Sequence, residues 1–346
     1  MKSVAHAWVG LMALRRLNRL SEKFDKYYKE QAGSFVRFFD KHKDAFVQGA
    51  WFPDSVIADN LAGGHTYKLK MPVTEKEKKQ AKEITNRTPE HLSCRTFIKN
   101  ESALTQKLYN QYKYTLPDRC EALSHAIRDM ILIQRKEPKG SDIMFNDDQI
   151  TLYFLMLSHY LADAHVPPHS DDRDFYTPST IHPDMESFWD KEILKYYVFD
   201  KKKKCFDYDI EGIPELKEGK EKTFEESFLA KALKILDSRK WNPADKKILG
   251  SGNEKIYDYI KAVCLVSYNL DCWFVPLSVT PKEYNKLKIL EQQEYFDKLK
   301  EMSPHILADT IDSIALIWLL TWDKYNKLKQ DIADKKKEIA KAEKKK

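Results

Sequence analysis

Residues 148–169 read DQITLYFLMLSHYLADAHVPPH, and the reading of this stretch settles the fold class. Apolar residues recur through it at helical spacing, which predicts a helix from Asp148 to Val166. Pro167 and Pro168 end that helix, since proline cannot continue it and restricts the residue before it. Outward from there, the same periodicity covers Val4–Leu20 and Ser34–Val47. Further helices are predicted over Glu121–Gln134, Pro183–Tyr197, Phe224–Leu236, Asn253–Trp273, Pro281–Lys300, and from Pro304 into the tail. Between these lie a loop marked by Pro and Gly at 51–65, a charged stretch at 68–100 read as a solvated excursion, and a polar insertion at 201–222.

Composition agrees with an all-α reading. Hydrophobic residues make up 42% of the 346, enough for a packed core. Only 10 glycines occur and no GxGxxG or GxxxxGK[ST] motif, which argues against all-β and nucleotide-binding α/β folds. With no internal repeat, the expected organisation is one large helical domain, 1–322. Loop insertions are placed near 66–118 and 199–222, and a Lys-rich helical tail at 323–346. That tail holds ten Lys against five acids, so it carries +5 of the net +6. It reads as a solvated helix end, with weak contact to an anionic membrane surface as the alternative. No global basic patch argues for duplex nucleic acid.

The five cysteines, Cys94, Cys120, Cys205, Cys264 and Cys272, form no CxxC pair and indicate neither a disulfide framework nor a thiolate metal site. The opening MKSVAHAWVGLMALRRL has an apolar run broken by His6 and followed by Arg15 and Arg16 without a small-residue cleavage site. The apolar run 314–322 is too short to span a bilayer, so no transmembrane segment is expected. As written the chain reads as cytoplasmic, with a secreted mature form as the alternative.

Four histidines, His159, His165, His169 and His182, fall within 24 residues among carboxylates. His159 and Asp163 lie four apart on a predicted helix, and therefore on one face. His182 and Glu186 repeat that spacing, and His169 follows the proline break, where a loop can turn its ring toward the same space. Imidazole and carboxylate at i, i+4 suit a zinc site, because the backbone prepositions two ligands. The competing reading of any single such pair is a surface hydrogen bond. HYLAD is otherwise apolar, so His159 and Asp163 are expected to face inward, where an unpaired carboxylate is costly.

LSHYLADAHVPPH resembles the H-x3-D-x5-H segment of the zinc-dependent phospholipase C superfamily. That superfamily includes single-strand nucleases and the amino-terminal domain of the GPI-specific phospholipase D. HPDMESFWD resembles the family's next element, His-x3-Glu followed by an aromatic and an Asp; a Glu here is the phospholipase-type choice. Upstream, KHKDAFVQGAWFPDSV resembles the helix, Gly, Pro-Asp ligand segment of the phospholipase D branch, and His65 follows it.

The resemblance implies the phospholipase C and nuclease type of helical domain, with up to three zinc ions. Asp54, His65, His159 and Asp163 would hold one ion, and His169, His182 and Glu186 a second. Asp163 would bridge to a third ion bound by His6 and the amine of Met1. Asp54 would be the catalytic base. The chain departs from the pattern in four places. Met1 replaces the usual amino-terminal Trp, the gap from His65 to His159 is long, Asp59 competes with Asp54, and the frame Glu186-x3-Asp190 offers Asp190 in place of His182. His165 has no family counterpart and reads as a residue at the rim or behind the ligands. Trp51, Phe52 and Trp189 flank ligand segments, as cleft wall or core. Trp318, Trp322 and Tyr325 read as a core stripe.

The function implied is phospholipase C-type hydrolysis of a phospholipid or related phosphodiester by metal-activated water. The alternatives are a single-strand-specific nuclease on the same scaffold and a non-catalytic helical zinc-binding protein.

Overall fold

Twelve α-helices make up most of the described part of the chain. In order they are α1 (Ser3–Leu20), α2 (Lys26–Asp40), α3 (Phe46–Phe52), α4 (Glu75–Arg87), α5 (Leu116–Lys136) and α6 (Asp147–Ala164). There follow α7 (Ile181–Tyr196), α8 (Glu221–Glu225), α9 (Phe228–Ser238), α10 (Lys255–Phe274), α11 (Pro281–Tyr284) and α12 (Ile289–Glu343). The computed structural model describes residues 1–20, 26–42, 46–58, 63–70, 74–91, 115–136, 145–173, 175, 181–202, 205–207, 214–240 and 255–343. A small antiparallel hairpin, β1 (Phe199–Asp200) with β2 (Cys205–Phe206), lies in the 199–222 insertion and pairs Phe199 with Phe206.

The centre is α6. Asn146 opens it with a reciprocal capping box: its side chain accepts from the Gln149 amide at 2.8 Å, and Gln149 Oε1 accepts from the Asn146 amide at 2.9 Å. From Phe154 to Ala164 every residue is buried, as in an interior helix, and Ser158, His159 and Asp163 are the polar side chains among them. Helices α1, α3, α5, α10 and α12 pack around it, and α7 packs on α1 and α12. The largest fully buried side chains include Trp8, Trp189 and Trp318, whose indole Nε1 donates to the Phe154 carbonyl at 3.0 Å. First and last helices meet across the fold, with buried Arg16 of α1 donating to Asp312 of α12 at 3.3 Å. The segment 289–323 of α12 is long and apolar enough by length and composition to cross a membrane, and most of that apolar window is buried inside the fold.

Five boundaries differ from the sequence reading. The Pro281–Lys300 helix is divided, with α11 ending at Tyr284 and α12 beginning at Ile289. The Ser34–Val47 helix is two helices, since the chain turns after Asp40 and α3 begins at Phe46. The excursion at 68–100 contains α4, which Thr74 and Glu77 cap reciprocally and which buries Ala81, Ile84 and Thr85. The Phe224–Leu236 helix divides at Ser227, whose hydroxyl accepts from the Ala230 amide and starts α9 afresh. Pro304 does not break α12: Leu299, Met302, Ile306 and Leu307 around it are buried, and that packing outweighs one lost backbone hydrogen bond. The tail is helical to Glu343, and Tyr325 lies outside the described side chains.

Candidate metal centre

The nine residues that the resemblance assigns to ions come to one place. Asp54 stands on a π-helical turn, Pro53–Ile57, that continues α3; His65 follows Gly63 and Gly64 on the next loop. His159 and Asp163 project from one face of α6, and His169 sits on the single turn Pro167–Ser170 beyond its end. His182 and Glu186 come from the first half of α7, and Met1 and His6 from the start of α1. Asp59 lies outside the described residues.

Among the described residues, three groups have ligand atoms within 4.8 Å of one another: His6, His159 and Asp163; Asp54, His65 and His159; and His169, His182 and Glu186. Asp163 Oδ2 lies 2.8 Å from His65 Nδ1 and 3.2 Å from His159 Nε2, while Asp54 Oδ1 stands 3.7 and 3.6 Å from the same two nitrogens. Asp163 Oδ1 faces the other way, 3.0 Å from the Met1 amine and 3.4 Å from His6 Nε2. In the third group His182 Nε2 is 3.1 Å from His169 Nε2 and 3.2 Å from Glu186 Oε1. The Met1 amine joins the groups, 3.0 Å from Glu186 Oε1 as well.

Backbone carbonyls aim two of the rings. His159 Nδ1–H donates to the Ala50 carbonyl at 2.7 Å, and His169 Nδ1–H donates to the His65 carbonyl at 2.9 Å. Each bond leaves Nε2 as a bare acceptor turned into the cluster, the form in which imidazole ligates a metal. Gly49 makes the first bond possible, because Leu155 of α6 occupies the space a β-carbon would take there. The His65 and His169 loops are stitched together by a parallel bridge between Leu69 and Asp171, by the Tyr67 amide donating to the His169 carbonyl at 3.3 Å, and by Lys68 Nζ donating to the Pro168 carbonyl at 2.9 Å. Arg173 then ties the second loop to the end of α10, reaching Asp171 at 2.6 Å and the carbonyls of Val275, Pro276 and Val279.

Electrostatics hold the buried carboxylates and two of the imidazoles in ligating form, while Met1 is held as an ammonium that ligates only on losing its proton. Burial opposes the charges of Asp163 and Glu186, but the terminal ammonium and the surrounding imidazoles overcome it and hold both carboxyls well below their usual range. Burial also opposes the ammonium, and the same two carboxylates outweigh it, raising its pKa to about 11. Burial, reinforced by His159 and the ammonium, pushes His6 well below its ordinary value, and burial lowers His169 to about 4. Asp54, half-buried, is raised chiefly by burial. Neutral imidazoles, as at His6 and His169, beside ionised carboxylates are donors that borderline and hard dications take.

His6 supplies an independent test of fit. It is buried and stacked on His159 with ring centroids 3.8 Å apart, and neither of its ring nitrogens makes a hydrogen bond. A buried nitrogen normally finds a partner, and a cation held with Asp163 and His159 satisfies this one. The residues present therefore fit a metal cluster.

His165, though two residues from Asp163, points out of the cluster: Nε2 bonds Ser313 Oγ at 2.9 Å and burial, aided by Arg239, lowers its pKa to about 3. Asp190 accepts from the Ala5 amide at 2.8 Å and belongs to none of the three groups; burial raises it to about 6. Trp189 is core, its Nε1 donating to Ser303, while Trp51 and Phe52 are half-buried. Among side chains the sequence reading left unused, Lys68 and Arg173 shape the His65 and His169 loops, and no motif or spacing marks either. Set against known proteins, the chain matches no family model, no curated protein and no solved structure.

Proposed function

We propose that this chain is a zinc-dependent phosphoric diester hydrolase acting on a phospholipid. The observation that carries the reading is the convergence of six side chains from six segments around Asp163 and Glu186, with the rings of His159 and His169 each turned Nε2 inward by a bond from Nδ1–H to a backbone carbonyl. Asp54, His65, His159 and Asp163 would hold one ion; His169, His182 and Glu186 a second; and Met1, His6 and Asp163 a third. When bound, such ions lower the pKa of attacking water and offset charge building on the phosphoryl oxygens.

The chain's own groups do the rest. Asp54 Oδ1 is the proton acceptor for the attacking water: it stands farther from the imidazole nitrogens than Asp163 does, and its half-buried carboxyl is the most accessible of the set. Asp163 and Glu186, buried and ionised, hold positive charge in place. On the turn that carries Asp54, Val56 and Ile57 stand 62% and 37% exposed, an apolar lip suited to a lipid rather than to a sugar-phosphate chain.

The test pairs elemental analysis with two substrates. Protein beginning at Met1 is expected to hold two to three zinc ions per chain and to release diacylglycerol from phospholipid micelles. Acid-soluble nucleotides released from single-stranded DNA without diacylglycerol would move the reading to a nuclease. Metal without either activity would leave a non-catalytic zinc protein.

A further inference from the structure

The first helix of this chain begins without a cap of its own. The His6 amide donates to the Lys2 carbonyl at 3.1 Å, which makes Lys2 the capping position and Ser3, Val4 and Ala5 the first three helical residues. Residues favoured there carry a short oxygen-bearing side chain that accepts from the second or third helical amide. Lysine has no acceptor, and its ammonium contacts Ser187 on α7 instead. The third amide, Ala5 N–H, is nevertheless satisfied, because Asp190 Oδ1 accepts it from α7 at 2.8 Å. Asp190 also sets a carboxylate against the positive end of the α1 dipole.

His182, Glu186 and Asp190 recur every four residues, so they form one stripe along α7. The upper two belong to the candidate centre, and the third grips the helix that delivers Met1 and His6 to it. The Met1 amine lies 3.0 Å from Glu186 Oε1, one turn along the same stripe, so the Ala5 contact fixes how far α1 is inserted. We propose that Asp190 is a positioning residue: the cap of α1, supplied by α7, that sets the Met1 amine and the His6 ring beside Asp163 and Glu186. This places Asp190 outside the ligand set while making one metal position depend on it. The metal part rests on the proposed function; the capping part does not.

The experiment therefore reads both. Hydrogen exchange at the first amides of α1 is followed in metal-free protein, and zinc per chain is counted in loaded protein. Asp190→Ala is expected to speed exchange at Val4 and Ala5 by about fivefold to thirtyfold, the range expected for a lost cap, and to cost one zinc ion while the others stay. Asp190→Asn keeps an acceptor and should retain wild-type exchange and zinc. In the double variant Lys2→Asn/Asp190→Ala, α1 carries its own cap, and both readouts should return to wild type. If Asp190→Ala does not fold, the double variant still must, and its failure overturns the assignment. So does unchanged exchange in Asp190→Ala. Zinc lost from Asp190→Asn as from Asp190→Ala, with no rescue by Lys2→Asn, would make Asp190 a ligand instead. Wild-type protein that binds no zinc sinks the metal reading alone, and the exchange data then decide the cap by themselves.

Discussion

His182 and Asp190 occupy the same face of α7 and were interchangeable as ligands while only spacing was known. The structure separates them, since His182 Nε2 is within 3.2 Å of both His169 and Glu186 while Asp190 bonds a backbone amide. His182→Ala should accordingly remove one zinc ion and lower activity by more than the roughly 10–100-fold typical of losing a partner that merely orients a ligand. Retention of full zinc content in His182→Ala would remove α7 from the centre. The amino terminus gives a second prediction at this scale. Any peptide fused before Met1 turns its amine into an amide, which cannot make the contacts to Asp163 and Glu186. Such protein should bind one zinc fewer than protein beginning at Met1, as read by elemental analysis, and equal zinc in the two would take Met1 out of the site. The buried orphan ring of His6 was legible only as a position; its lack of a hydrogen bond is a property of the packed helices and has no sequence signature.

At the scale of elements, α3 and α6 approach at Gly49, and that closeness lets the Ala50 carbonyl hold His159. Gly49→Ala should destabilise the fold by about 1–3 kcal/mol, the usual cost of overpacking, read as a lowered denaturation midpoint. It should weaken zinc binding at the Asp54 group as well. A wild-type midpoint would show that Leu155 moves aside freely. The Gly, Pro and Asp of this segment could be read as a spacing, and so could the helices that bear the ligands, because a 3.6-residue period and a His-x3-acid pair are local features. What escaped was non-local. Helix α4 carries the Thr74–Glu77 capping box, yet its charged surface concealed three buried residues that face α10. Pro304 on its own predicts a helix start, whereas the core around it carries α12 straight through. The Lys68 and Arg173 stitches join loops a hundred residues apart, and nothing local to either residue encodes the partner.

Across the whole molecule, the candidate ligands run from Met1 to Glu186 and sit on α1, α6, α7 and the turns between, so bound metal should hold these segments together. Chelation is expected to lower the melting temperature and abolish diester hydrolysis, with zinc restoring both; full activity after exhaustive chelation would end the metal hypothesis. The thiols report on the scaffold instead. Cys120, Cys264 and Cys272 are buried, and burial raises all three, Cys264 to about 12. Maleimide labelling mapped by mass spectrometry should find these three unreacted in native protein and modified in denaturant. Finally, consider the contact of α1 with α12 as an event in time. The last candidate ligand is residue 186, but the helix that buries Arg16 and backs α1 is complete only near residue 322. At roughly 5–20 residues per second the ribosome needs about 7–27 s to make the intervening 136 residues. Throughout that interval the ligand-bearing segments exist without the wall that fixes them, and a nascent chain offers loose, solvated donors rather than a finished pocket. If the proposed ions bind, selective loading is expected only once α12 has packed against α1.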